Sequence, residues 1–177
     1  MIAVTNIFKK NKFFDNMKID RVLVEGQYPV LFTLKSDEKE YLAICPVMNS
    51  EEIIWLLSET TVGIIINMLE DSVTIRDAFM DGSSLKWIIR YDGNEVTIEE
   101  KLKDEISNIL LPDKGEFMDA DEGEFDEELA YYKQLVTYRK IELTPLKWIL
   151  WPVKIKKFSA PRNQHIFNVC QYKYQLS

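Results

Sequence analysis

Ser58–Met80, SETTVGIIINMLEDSVTIRDAFM, is where the periodicity of this chain changes, and the change decides the fold. Upstream, apolar and polar residues alternate at the two-residue period of half-buried strands. Within the block, Val62, Ile65, Ile66 and Leu69 fall at helical spacing instead. Isoleucine is β-branched, so propensity alone favours strand. The amphipathic spacing, together with Asn67 and Glu70, outweighs it and predicts a helix capped by Thr60 or Thr61 and running to about Leu69. Asp71-Ser72 breaks that helix. Thr74 then caps a second short helix, with Asp77 three residues on to reach back to the first turn's donors. Asp81-Gly82-Ser83 closes it.

Three strand-like runs precede the block: Ile19–Glu25, Val30–Lys35 and Glu40–Val47, with Tyr28 as an anchor before the second. The polar turn Ser36-Asp37-Glu38-Lys39 favours a hairpin between the second and third. Pro46 should end the third strand or place it at an edge, since proline cannot donate to a ladder. A fourth run, Ile53–Leu57, completes an antiparallel meander. At the N-terminus, residues 7–18 set Ile7, Phe8, Phe13, Phe14 and Met17 among lysines, the pattern of a short helix or an ordered arm.

Downstream, Leu85–Tyr91 and Glu95–Glu99 read as a hairpin joined through Asp92-Gly93-Asn94, whose Asp-Gly pair suits a tight turn. Residues 102–111 are apolar and end at Pro112. Phe125–Lys140 predicts a helix with Leu129, Tyr132, Leu135 and Val136 on one face. Trp148–Lys154 and Ile166–Gln175 are two further strand candidates. The expectation is one α+β domain over 1–177, a mostly antiparallel sheet with two or three helices. Its core spans about 19–111, an acidic loop 112–124, and a helix with C-terminal strands 125–177.

Composition narrows the class. A chain of 177 residues, 46% hydrophobic, can bury one substantial core. Six glycines, six prolines and a 12% aromatic share argue against general disorder. No window approaches the ~18 consecutive apolar residues of a membrane span, so no membrane association is expected. The N-terminal apolar residues precede the lysines, the reverse of a secretory signal, and a cytoplasmic protein is expected. Cys45 and Cys170 sit in apolar runs and fit small buried hydrophobes in a reducing compartment. With His165 the single histidine and no Cys-x-x-Cys, a zinc site lacks ligands, and no cofactor is expected.

Leu69-Glu70-Asp71-Ser72-Val73-Thr74-Ile75-Arg76-Asp77-Ala78-Phe79, with Trp55-Leu56-Leu57-Ser58 upstream, resembles an uncharacterised bacterial or phage domain family. Its members show a strand meander, a (Ser/Thr)-(Leu/Ile)-Arg-Asp-Ala-Phe helix and another hairpin. The likeness covers about residues 20–100. It implies a fold pattern and a prokaryotic or phage origin, and it carries over no catalytic residue.

Three groups of residues are candidates for a site. Arg76, near a helix N-terminus that favours anions, could form a fork for a carboxylate or phosphate. The plainer reading is that Asp77 completes the cap while Arg76 pairs with an acidic strand residue. The second group is the acidic run Glu116, Asp119, Asp121, Glu122, Glu124, Asp126, Glu127 and Glu128. Asp119, Asp121, Glu122 and Glu124 could bind a partner, and paired carboxylates could hold a divalent metal. Asp119-x-Asp121-x-Gly123 departs from a calcium loop, because the glycine falls one position early and the terminal bidentate Glu is missing. A solvated loop followed by a helix with an acidic first turn explains the same run.

The third group is basic and aromatic: Lys147, Trp148, Trp151, Lys154, Lys156, Lys157, Phe158, Arg162, His165, Phe167, Tyr172, Lys173 and Tyr174. Interleaving of this kind suits a nucleotide or single strand, by stacking plus phosphate attraction, and equally a sheet with one buried aromatic face. The net charge of −7 weighs against nucleic acid. That total hides segregation. Glu95–Glu128 holds fourteen acidic residues against three lysines, and Arg139–Ser177 eight basic residues against Glu142 alone. Such blocks steer charged partners or attract each other. No Gly-x-Ser-x-Gly elbow supports nucleophilic catalysis.

The sequence thus favours a non-catalytic interaction protein that binds a protein partner and could modulate it. The alternative is a small-ligand binder using the basic, aromatic C-terminal third on a nucleotide or signalling molecule. A metal-dependent enzyme using the acidic cluster comes third. Exposed strand edges and four tryptophans also allow a homodimer.

Overall fold

The computed structural model describes residues 4–37, 39–119 and 121–143. The strand candidates Trp148–Lys154 and Ile166–Gln175 lie outside them. Six strands form one antiparallel sheet in the order of the chain. They are β1 (Lys18–Glu25), β2 (Pro29–Lys35), β3 (Glu40–Met48), β4 (Ile53–Thr60), β5 (Leu85–Tyr91) and β6 (Val96–Leu102). The expected meander and the later hairpin are therefore parts of one sheet, with β5 pairing directly on β4 through six residue pairs from Ile53↔Tyr91 to Ser58↔Lys86. The helices are α1 (Val4–Phe8), α2 (Val62–Leu69), α3 (Ile75–Asp81) and α4 (Asp126–Leu143). None is long and apolar enough to cross a membrane.

Side-chain alternation gives the sheet two apolar faces, and each is covered. Leu31, Leu42, Leu56 and Ile88 pack against α2, α3 and α4 through Ile65, Met68, Phe79 and Tyr132. Phe32, Ala43, Trp55, Leu57 and Ile89 face the other way and pack on α1 and the 3-10 turn Lys12–Phe14. There Phe8 stacks on Phe14 with ring centroids 4.2 Å apart and meets Trp55 edge-on at 5.5 Å. The predicted arm is thus a third layer of the protein. Its helix begins earlier than the apolar pattern of residues 7–18 implied, because Val4 is also buried.

The block that changes period folds as its caps dictate. Thr61 accepts from the Ile64 N–H at 3.3 Å and starts α2. Thr74 accepts from the Asp77 N–H at 3.0 Å, and its hydroxyl donates to the Asp77 carboxylate at 2.7 Å. Asp77 thus reaches back to the capping hydroxyl itself. Gly82 ends α3 against β4, where a Cβ would lie 2.0 Å from the Glu59 carbonyl oxygen. Only glycine permits that approach.

Pro46 meets half of the expectation: it does not end β3, but it lies past Ile44, where β3 has lost its β2 partner and one edge is unpaired. β3 is an interior strand and runs on to Met48, and the ladder with β4 shifts register between Ile44↔Leu56 and Val47↔Ile54. Cys45 and Pro46 together oppose Trp55, a bulge that accommodates a residue without an N–H inside a sheet. Residues 102–111 also form no regular element of their own. They finish β6 and continue through two 3-10 turns, Lys103–Glu105 and Asn108–Leu110, with Ile106 and Leu111 buried.

Helix α4 matches the predicted face. Tyr132 is buried, and Leu129, Leu135 and Val136 pack beside it. A polar latch adds to this contact. The Tyr132 hydroxyl lies 2.7 Å from Thr33 Oγ1, and the Tyr131 hydroxyl donates to Asp20 at 2.8 Å. Lys35 Nζ sits 3.6 Å from the same carboxylate, and the Arg21 guanidinium lies 4.4 Å from the centre of the Tyr131 ring. Burial and the Asp20 charge raise the tyrosine hydroxyls above their ordinary range.

Candidate functional site

The sheet forks at one end. The β2–β3 ladder stops at Leu31↔Ile44, whereas β1–β2 continues to Glu25↔Pro29 and β3–β4 to Met48↔Ile53. On the face of the N-terminal arm, Trp55 fills the fork by donating its indole N–H to the Pro29 carbonyl at 3.1 Å. On the helical face the fork stays open as a groove of about 440 Å³. Val24, Val30, Cys45 and Pro46 line it from the strands, Ile75 from α3, and Ile109, Leu111, Pro112 and Phe117 from the connection after β6.

Three of these side chains are large, apolar and left in solvent: Ile109 is 91% exposed, Phe117 41% and Val24 40%. Isolated exposed apolar residues need no explanation, whereas these three surround one concave surface. Asp113 and Glu116 stand at the same groove and give it an acidic rim. The Glu116 carboxylate also accepts from the Asp113 N–H at 3.1 Å, which tightens the turn that carries both.

The connection is fastened to α3 by hydrogen bonds in addition to the packing of Ile106 and Leu111. Arg76 donates to the Pro112 carbonyl at 3.2 Å and to Asn108 Oδ1. The Ile75 N–H donates to the Glu116 carbonyl at 2.9 Å, and the Met118 N–H to Asp71 Oδ1 at 3.0 Å. Arg76 was a candidate anion fork and also a candidate partner of an acidic strand residue. Its guanidinium instead holds the loop that forms one wall of the groove. The first turn of α3 likewise spends its donors on Glu116 O and Thr74 Oγ1.

The other sequence candidates separate. Asp119, Asp121, Glu122 and Glu124 are all exposed beyond the groove, with the Asp121 N–H capped by Glu124 at 3.1 Å. Among the described residues no group of three or more acidic, histidine or cysteine side chains gathers to hold a metal ion. Trp148, Trp151, Lys154, Lys156, Arg162, His165 and Tyr172 lie outside the described residues. Sequence reading passed over Ile109, Phe117 and Val24. Their one signal was the presence of bulky apolar residues in segments otherwise read as a core run, a polar loop and an ordinary strand.

One further cluster has the composition of a nucleophilic pair. Lys86 Nζ lies 2.5 Å from Ser58 Oγ and donates to the Phe79 carbonyl at 2.7 Å. Desolvation, helped by the Lys103 charge, lowers the amine to about 8. Both residues are 0% exposed, so no substrate reaches the hydroxyl. Ser58 also donates to the Glu59 carbonyl at 3.1 Å, which directs its proton away from the amine. Lys86 acts here as a buried partner of the Phe79 carbonyl in the last turn of α3, where the helix dipole favours a cation. Cys45 is half-buried in the groove wall, and burial pushes its thiol up to about 11, away from the reactive thiolate.

Fold and groove together define an α+β protein built on a six-stranded antiparallel meander, with a groove of mixed apolar and acidic lining at the forked end of the sheet. The chain belongs to a family of unknown function, DUF6575, whose family model matches residues 5–165. No curated protein and no solved structure matches it.

Proposed function

We propose that this is a non-catalytic, cytoplasmic interaction protein of bacterial or phage origin, which binds a protein partner through the groove at the fork of the sheet. The supporting observation is the placement of Ile109 and Phe117, on a loop fastened at Arg76, Ile75 and Asp71, with Val24 of β1, all exposed around one concavity. Exposing such residues forgoes about 25 cal/mol for each Å² that burial would stabilise. A fastened wall also reduces the ordering penalty on binding, which is how a preorganised surface gains affinity. Origin rests on the sequence resemblance, and compartment on the order of apolar and basic residues at the N-terminus and on Cys45, which stands in no disulfide among the described residues.

The test is panning of random dodecapeptides displayed on phage against the full chain. Enriched clones should lose binding to a double variant, Ile109→Asp with Phe117→Ser. Clones that bind both proteins equally, or no enrichment at all, would remove the groove as the working surface.

A further inference from the structure

We propose that the segment occupying the groove is an apolar or aromatic anchor flanked by lysine or arginine, presented by a partner protein; the proposal rests on the groove reading above. The walls set the first half of this. Val24, Val30, Ile109 and Phe117 offer an anchor side chain only apolar contact. The rim sets the second half. Asp113 and Glu116 face the groove mouth, and residues 112–128 carry nine acidic side chains against Lys114 alone. Arg76, the cation of α3, turns its guanidinium to Asn108 and Pro112, and among the described residues no ion pair joins Asp113 or Glu116 to a cation.

A cationic flank therefore enters a favourable field, while a phosphate, a nucleotide or an anionic membrane surface meets repulsion. The rim carboxylates are exposed, so their contribution lies mainly in the encounter rate and in discrimination between partners. Apolar anchoring supplies the residence time. Binding should accordingly weaken with salt without vanishing, since screening acts on the rim and spares the anchor.

The same phage library separates this proposal from the one on which it rests. Pools selected on the native chain should share a Leu, Ile, Phe or Trp beside two or more Lys or Arg. A representative peptide should bind the variant Asp113→Lys with Glu116→Lys about tenfold more weakly, and pools selected on that variant should turn acidic. Peptides that need Ile109 but carry neutral or acidic flanks, or ignore the reversal, overturn the cationic partner and leave the groove standing. Pools that do not need Ile109 overturn both. Circular dichroism of the variants confirms that the fold is intact in each arm.

Discussion

At the scale of single residues, two buried side-chain donors serve backbone carbonyls: the Trp55 indole at Pro29 and the Lys86 amine at Phe79. Lys86 is the strongest case, an amine without solvent contact that joins β5 to the end of α3 through the Phe79 carbonyl. Its folded value of about 8 lies below the ordinary 10.5, so between those two values the unfolded chain binds more protons than the folded one. Stability should then rise as pH climbs through that window, on the order of 1 kcal/mol per pH unit. Urea midpoints measured at pH 8 and pH 10 should increase in the native protein. In Lys86→Met that increase should be absent, and its persistence there would assign the slope to another group. Arg76 teaches a related lesson. Capping logic placed Asp77 correctly from sequence, but the partners of Arg76 lie 32 and 36 residues away, at Asn108 and Pro112. No local pattern announces them.

Among the elements, α4 depends on its latch as well as on its apolar face. Asp20 on β1 receives both tyrosine hydroxyls of α4 and lies beside Lys35. Replacing it with alanine removes the common acceptor and leaves the buried Tyr132 hydroxyl with Thr33 alone. A loss of about 1–3 kcal/mol is expected, as for hydrogen bonds to a charged group. Amide exchange should quicken in α4 first, while β3 and β4 keep their protection. Uniform quickening across the sheet would show instead that Asp20 supports β1. The face of α4 was legible because Leu129, Tyr132, Leu135 and Val136 recur at helical spacing, whereas a partner on β1 is invisible to periodicity. Pro46 was placed only in part, for a comparable reason: it does sit where β3 has no β2 partner, but it does not end the strand. Its missing donor was read correctly, but the bulge that accommodates it exists only once β3 pairs with β4.

At the scale of the whole molecule, one sheet is shared by two apolar layers, so neither can loosen alone. Phe8→Ala on the arm side and Phe79→Ala on the helical side should each cost about 3–5 kcal/mol and shift a single common unfolding transition. Two separated transitions, seen by calorimetry, would mean that the arm folds independently. Sequence alone determined the α+β class, the six strands of the described residues, the two capped helices and the acidic character of the loop after β6, because periodicity, caps and turns act within a few residues. Tertiary structure alone decided the rest: that six strands make one sheet, that its ladder opens between β2 and β3, that Ile109 and Phe117 flank that opening, and that Lys86 is sealed beneath α3. Those features depend on register and on contacts between residues far apart in the chain, and such contacts leave no period in a sequence.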